Sequence, residues 1–343
     1  MFSMLNGRWP RVTADGVALA DLEAEVVAER TPVDTLGLAI DDLVAEVIRV
    51  QAEAGLDLVT DGKVRWANPD AVLLRALADG DVGDEGLLVR TWQAAAALAD
   101  RPVAQPIAGP YTLARRIHPD RSATQRTAFT LEFAAHLAAE LNALAAAGCP
   151  MALIEEPDAV LIGGYPADYT NEIERELFAA TQERLLAEPS GLHAMLAVTG
   201  GSAGAAGPDA ILGAPYQSYL FDLITGPDNW YLIREVPGDR GVVCGALRPD
   251  SPADQLPELV WAARYAASSN GRGLERVGLT NATSLDGLDP ATVARAAAAL
   301  AKASHLARLS PDQAVAEGLD PRAIRQPADR PPRIRRDPPA AGG

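Results

Sequence analysis

The sequence predicts an α/β chain folded as a (β/α)8 barrel. Three observations predict it. Short apolar runs alternate with longer, alanine-rich amphipathic segments, which is the pattern of repeated βα units. Eight such runs occur. Polar or glycine-containing motifs follow nearly every run, and in a barrel those positions converge on one rim, where such folds place their chemistry. A doubly wound open sheet is the competing arrangement; the recurrence of these motifs favours the barrel. The chain has 343 residues, enough for one large barrel or two small domains, and enough to bury a core without covalent staples.

The eight expected strands are residues 2–5, 56–60, 103–108, 151–155, 192–198, 218–224, 242–247 and 276–280. The clearest helices are 41–54, 124–147, 170–186, 253–268 and 290–307. Gly148 stops the second of these, and Asp289-Pro290 caps the last and supplies its first-turn proline. Residues 11–40 read as an N-terminal loop and helix, and 79–100 as an extra loop and helix. The run Gly200 to Gly207 reads as too flexible for regular structure, either a linker or a lid near the mouth. The barrel domain is expected over 1–310. Residues 311–343 turn Pro- and Arg-rich, as in a tail or an arm lying on a neighbouring subunit, so a homo-oligomer is one expectation.

A formal charge of −16 argues against nucleic acid and anionic membranes as partners. Cys149 and Cys244 are the only cysteines, too few and too far apart for a disulfide framework or a Cys/His zinc cluster. No run reaches the roughly 18–20 apolar residues of a membrane span, and the N-terminus lacks signal-peptide organisation, so a cytoplasmic location is expected. Arginine greatly outnumbers lysine; Lys63 and Lys302 are the only lysines.

Several motifs carry chemistry. Asp61-Gly62-Lys63 puts a carboxylate at a strand mouth with a permissive turn behind it, unless Asp61 only caps the next segment. Arg8 and Lys63, if both face the mouth, form an anion site from one bidentate fork and one point charge. Tyr111, after the Gly109-Pro110 turn, offers an apolar wall with a hydroxyl handle. Glu155 and Glu156 are adjacent carboxylates at a strand end, costly unless one binds a cation or holds a proton. His193 and Met195 point to one side of their strand. Asp222, among aromatic residues, needs a partner, and His193 is the natural one. Arg248 either adds to the anion site or makes a surface pair.

Over most of residues 1–310 the chain resembles the cobalamin-independent methionine synthase family, the core-type branch of the methionine synthase and uroporphyrinogen decarboxylase superfamily. The segment Ala147 to Pro157 resembles that family's Ala-Gly-x-x-x-Ile-Gln-Ile-Asp-Glu-Pro, and Gln105 to Leu113 its Pro-Gly-Pro-Tyr/Val-Thr-Leu. Asn6 to Arg11 is similar to its Gly-Ser-Phe/Leu-Pro-Arg, and His193-Ala194-Met195 to its His-x-Cys. The resemblance implies a (β/α)8 barrel, methyl transfer to a thiol, no cobalamin, and a zinc held by His, Glu and two Cys. Here His193 is retained and Asp222 stands near the glutamate, whereas Met195 and Thr283 replace the cysteines. Lys63 stands where the family's glutamate contacts the homocysteine amino group, and a lysine repels an ammonium.

These readings lead to three functions. The first is a methyltransferase-like enzyme on a thiol or folate-like substrate, with zinc weakly held, differently ligated or absent; any metal would fall to His193 and Asp222. The second is a metal-independent lyase or decarboxylase, with Arg8 and Lys63 on the anion and Glu155, Glu156 and His193 moving protons. The third is a non-catalytic binding protein on the same barrel. Arg8, Asp61, Lys63, Tyr111 and Thr283 are the expected substrate contacts, and His193, Asp222, Glu155 and Glu156 the expected catalytic groups.

Overall fold

A computed structural model describes residues 1–81, 83, 85–162, 169–187, 191–321 and 323. Its first elements are β1 (Phe2–Ser3), α1 (Leu19–Val27), α2 (Val33–Glu53), α3 (Pro69–Asp79) and α4 (Leu87–Ala96). From β2 (Ala104–Ala108) strand and helix alternate: α5 (Pro110–Ile117), α6 (Ala123–Ala146), β3 (Met151–Glu155), α7 (Tyr169–Leu185), β4 (His193–Val198), α8 (Pro208–Leu212), β5 (Ser218–Asp222) and α9 (Asn229–Glu235). The chain continues through β6 (Gly241–Leu247), α10 (Leu256–Ser268), β7 (Val277–Asn281), α11 (Pro290–Arg308) and α12 (Pro311–Ala316). Among the described residues every strand pairing is parallel, in one seven-stranded sheet of order β1-β7-β6-β5-β4-β3-β2.

Burial explains why the strands are legible as apolar runs. Helices cover the outer face, where Val277, Leu279 and Ile154 pack; the inner face carries a separate cluster that includes Met4, Leu58, Leu153, Met195, Leu220 and Val243. A parallel sheet buried on both faces needs apolar residues at nearly every position.

The expected strand at 56–60 is instead a seam segment. The Asp57 and Leu58 N–H groups both donate to the Ser3 carbonyl, at 3.1 and 3.2 Å, and Val59 makes one parallel bridge to Val103. This segment thus touches both edge strands. It is irregular because the Asp57 carboxylate accepts from Ser3 N and Oγ, both at 2.9 Å, in place of a strand carbonyl. A similar substitution shortens β1. Beyond it, Asn6 exchanges two hydrogen bonds with the Asn281 side chain, at 2.8 and 2.7 Å, so an amide group continues the ladder.

Other boundaries differ for local reasons. The helix expected at 41–54 is the second half of α2, which starts after Pro32. The extra segment at 79–100 contributes α4, and α3 precedes it, opened by Asn68, whose side chain accepts from Ala71 N at 3.0 Å. The glycine run does not read as a linker. It contains a 3-10 turn, Ala203–Ala206, and Asn229 pins it: Ala203 N donates to Asn229 Oδ1 at 2.8 Å, and Asn229 Nδ2 donates to Gly201 O at 3.0 Å. The tail expected over 311–343 begins with α12; its remainder from 324 lies outside the described residues.

Candidate functional site

A cavity of about 470 Å³ opens at the carboxyl ends of the strands. Arg8, Asp61, Lys63, Glu155 and Thr283 line it. Parallel strands deliver side chains from distant parts of the sequence to this one rim.

The turn at 61–63 builds the acidic and basic centre. Gly62 has φ +66°, and a Cβ there would lie 2.7 Å from Trp9 Cβ, so only glycine fits. Lys63 follows in the same left-handed region, φ +54°. That conformation costs an L-residue about 1–2 kcal/mol, and a hydrogen bond from Lys63 N–H to Asp61 Oδ1 at 2.9 Å helps to hold it. From this backbone Lys63 Nζ reaches both oxygens of Glu155, at 2.7 and 2.6 Å. Lys63 is therefore a cation already clasped by a carboxylate, and the expected two-cation anion site of Arg8 and Lys63 reduces to Arg8. The Arg8 guanidinium donates to the Trp66 carbonyl and has no carboxylate within ion-pair distance among the described residues. Loss of water, then Arg11, pulls its pKa down; Asp286 and Glu23 oppose them.

Asp61 is nearly inaccessible to bulk water, at 4 % exposure, yet borders the cavity. Burial raises its carboxyl pKa, partly offset by the Lys63 N–H and by the charges of Arg65 and Lys63.

The adjacent glutamates point opposite ways. Glu155 enters the cavity, whereas Glu156 is fully buried behind it. Glu156 accepts from Tyr111 N at 3.1 Å, Thr112 N at 2.7 Å and Gln182 Nε2 at 2.9 Å. Desolvation pushes its pKa up to about 7 against those hydrogen bonds.

Besides Glu156, three expected site residues lie outside the cavity lining. Tyr111 is fully buried and donates its hydroxyl to Glu174 at 2.7 Å rather than facing a ligand. His193 opens β4, in register with Met151, at the opposite end of the strands from Glu155. At about 3.3 Å per residue that is roughly 13 Å away. Its Nε2 lies 2.8 Å from Ser218 Oγ, and burial lowers its pKa. The expected His193–Asp222 pair is therefore not formed. Asp222 closes β5 and satisfies itself locally, accepting from Ile224 N and Thr225 N at 2.9 Å, from Gly200 N at 3.1 Å and from the Thr225 hydroxyl. The rim positions of β4 are Ala197 and Thr199, two and four residues beyond Met195 on the inner face.

Trp66, Asn68, Arg116, Gln105 and Thr199 also line the cavity. Sequence reasoning missed them. Asn68-Pro69, a cap followed by a first-turn proline, is a signal that could have located the first two. Arg116 pairs with Asp70 at 2.7 Å, a contact without any local sequence pattern.

No protein-family profile matches the sequence, and no curated protein matches it either. Solved structures do. A B12-independent methionine synthase from Shewanella sp. W3-18-1, in complex with selenomethionine, superposes with TM-score 0.68 at 12 % identity, covering 92 % of this chain and 98 % of that one. A Listeria monocytogenes protein provisionally assigned as a vitamin-B12-independent methionine synthase gives 0.64 at 15 %, covering 88 % and 96 %. A methyltransferase from Methanosarcina mazei gives 0.53 at 12 %, covering 77 % and 85 %. At these identities the likeness is one of fold.

Proposed function

We propose that this chain is a methyltransferase-like enzyme that closes a (β/α)8 barrel through residues 57–60 and handles a small thiol or folate-like substrate at the mouth, without a zinc–thiolate centre. The observation that carries the reading is the meeting of Asp61, Lys63 and Glu155 around one cavity at the strand ends. The fold similarity to methionine synthase structures supports it.

A zinc of the family's kind does not fit the donors on hand. No group of three or more His, Cys, Asp or Glu side chains suited to one ion occurs among the described residues. Asp222 already accepts four hydrogen bonds, and Ala197 and Thr199 offer no soft ligand. Burial pushes the Cys149 thiol up to about 11 and the Cys244 thiol to about 12, far from thiolate character at neutral pH.

In this reading Asp61 takes the proton of an incoming thiol. Its raised carboxyl pKa brings it closer to that task than an exposed aspartate. Sulfur then bonds to the methyl carbon as the donor's bond to that carbon breaks, and the donor atom keeps the electron pair and receives the proton. The Lys63–Glu155 pair supplies a fixed dipole beside the reacting atoms. The test is product formation by chelator-treated protein given a methylfolate donor and a panel of thiols, read out by mass spectrometry. Methyl thioether should appear and fall at least about 100-fold in Asp61→Asn. No thioether with any thiol, or activity only on adding zinc, overturns the reading.

Arg8 favours a second reading, a metal-independent lyase or decarboxylase of an anionic molecule, because its guanidinium lines the cavity without a carboxylate partner among the described residues. Carbon dioxide or alkene release from a carboxylate panel, lost in Arg8→Met, distinguishes it.

A further inference from the structure

Glu156 is a buried ionisable group beside the mouth that the proposed chemistry does not use. Glu156 sits directly behind Glu155, and its hydrogen bonds run to the loop that frames the cavity rather than into the cavity. Tyr111 N and Thr112 N are buried first-turn donors of α5 that have no partner within the helix, and Thr112 and Arg116 of the same helix line the mouth. The backbone of the same dipeptide fastens the neighbouring strands. Gly109 N donates to Glu155 O at 2.7 Å, and Glu156 N donates to Ala197 O at 2.9 Å. Packing leaves no slack, because a Cβ on Gly109 would land inside the Glu156 carboxyl group.

We propose that Glu156 is a positioning residue with a pH-dependent grip: as a carboxylate it holds the first turn of α5 against β3, and that grip keeps Glu155 clasped on Lys63 across the mouth. An ionised carboxylate accepts from all three donors at once. A protonated one loses the negative charge that strengthens these bonds, and its O–H competes with the N–H donors at the oxygen that carries it, so the hold on the turn weakens. The groups packed against it do not replace the lost charge. From α5 comes Tyr111, whose hydroxyl is committed to Glu174; from α7 come neutral Gln182 and, one bond further, Glu174 held by Arg126 and Arg115; before β5 comes Tyr216, which donates to Gln182. Beside it in sequence is Glu155 itself. With its pKa near 7, the protonated share runs from about one tenth to about nine tenths between pH 8 and 6.

Two lysines make the clasp measurable without any substrate. Lys302 is exposed on α11 and serves as the internal standard for Lys63. Acetylation by an N-hydroxysuccinimide ester, quantified by peptide mass spectrometry, reads the Lys63/Lys302 rate ratio in the full chain. The ratio should rise severalfold from pH 8 to pH 6 and approach the value of Glu155→Gln, in which the clasp is released. In Glu156→Gln it should be high and flat with pH. A wild-type ratio that does not change while Glu155→Gln raises it overturns the proposal, and this arm needs no Glu156 variant to fold. A Glu156→Gln profile identical to wild type overturns it as well. Because labelling reports the clasp alone, methyl transfer can fail while this holds, and the reverse.

Discussion

Glu156 ties a single side chain to the pH dependence of stability. Its folded pKa is raised to about 7 from an ordinary 4.5 by loss of water. The native state therefore binds a proton that the unfolded chain releases between those values. Its contribution to stability is fully present below about pH 4.5 and is lost as pH rises through about 7. The shift corresponds to on the order of 3 kcal/mol at alkaline pH. Urea unfolding of wild type should show stability falling between pH 5 and 8.5, and Glu156→Gln should remove that slope while lowering stability at pH 5, since one oxygen acceptor is lost. A wild-type slope unchanged in the variant would assign the effect to another group. Glu156 also illustrates what the sequence could tell. Two adjacent acids at a strand end implied that one would be neutralised or protonated; which faced the cavity depended on the pleat. The same pattern misled at His193. A histidine two residues before a buried methionine has identical alternation at either end of a strand, so periodicity carried no information about the end it occupied. Asp222 had a local signal, the following Leu-Ile-Thr with a hydroxyl three residues on, that reads as a self-satisfied turn rather than as half of an ion pair.

At the scale of elements, strands and helices were readable because both faces of the sheet are buried and the helices lie amphipathically on its outside. Joints between elements were not readable, because they depend on long-range polar contacts. Arg272 is the sharpest case. It is fully buried, with no carboxylate partner among the described residues, and burial lowers its pKa. Its guanidinium donates to Arg240 O at 2.9 Å, Ala266 O at 2.6 Å, Ile233 O at 3.3 Å and Val236 O at 2.9 Å. Those carbonyls belong to the ends of α9 and α10 and the approach to β6, so one side chain ties three elements. Two effects oppose each other: burying an arginine costs several kcal/mol, while removing it leaves helix-end carbonyls unpaired at about 1–3 kcal/mol each. With four acceptors the second effect wins. Arg272→Met should destabilise by about 3–5 kcal/mol, and Arg272→Lys by less, as measured by denaturant midpoint. A methionine variant as stable as wild type would mean that the charge is a net burden at this joint.

At the scale of the whole molecule, the question is how the first and last parts of the chain are held together, since the mouth is assembled from both. Asp57 sits at that seam. It accepts from Ser3 on β1, and from Arg308 at the end of α11 at 2.9 Å, while Arg308 also donates to the Met1 carbonyl at 2.6 Å. Burial pushes its carboxyl up, but Arg308 and Ser3 together outweigh that and hold its pKa below the ordinary 3.8. A depressed carboxylate contributes stability that is present above its unfolded pKa and lost as pH falls through the folded one. The group is partly exposed to water, so solvent screening limits its worth to about 1–2 kcal/mol. Asp57→Asn keeps the shape and removes the charge. It should cost that amount at pH 7, and the deficit should shrink steadily below about pH 4, as the wild-type group takes up its own proton. Thermal melts of both proteins at pH 7 and pH 3 check this. A deficit equal at the two values would mean that the seam depends on the shape of the aspartate and not on its charge, and the contacts of residues 57–59 with the two edge strands would then rest on the backbone bonds to Ser3, Pro102 and Ala104.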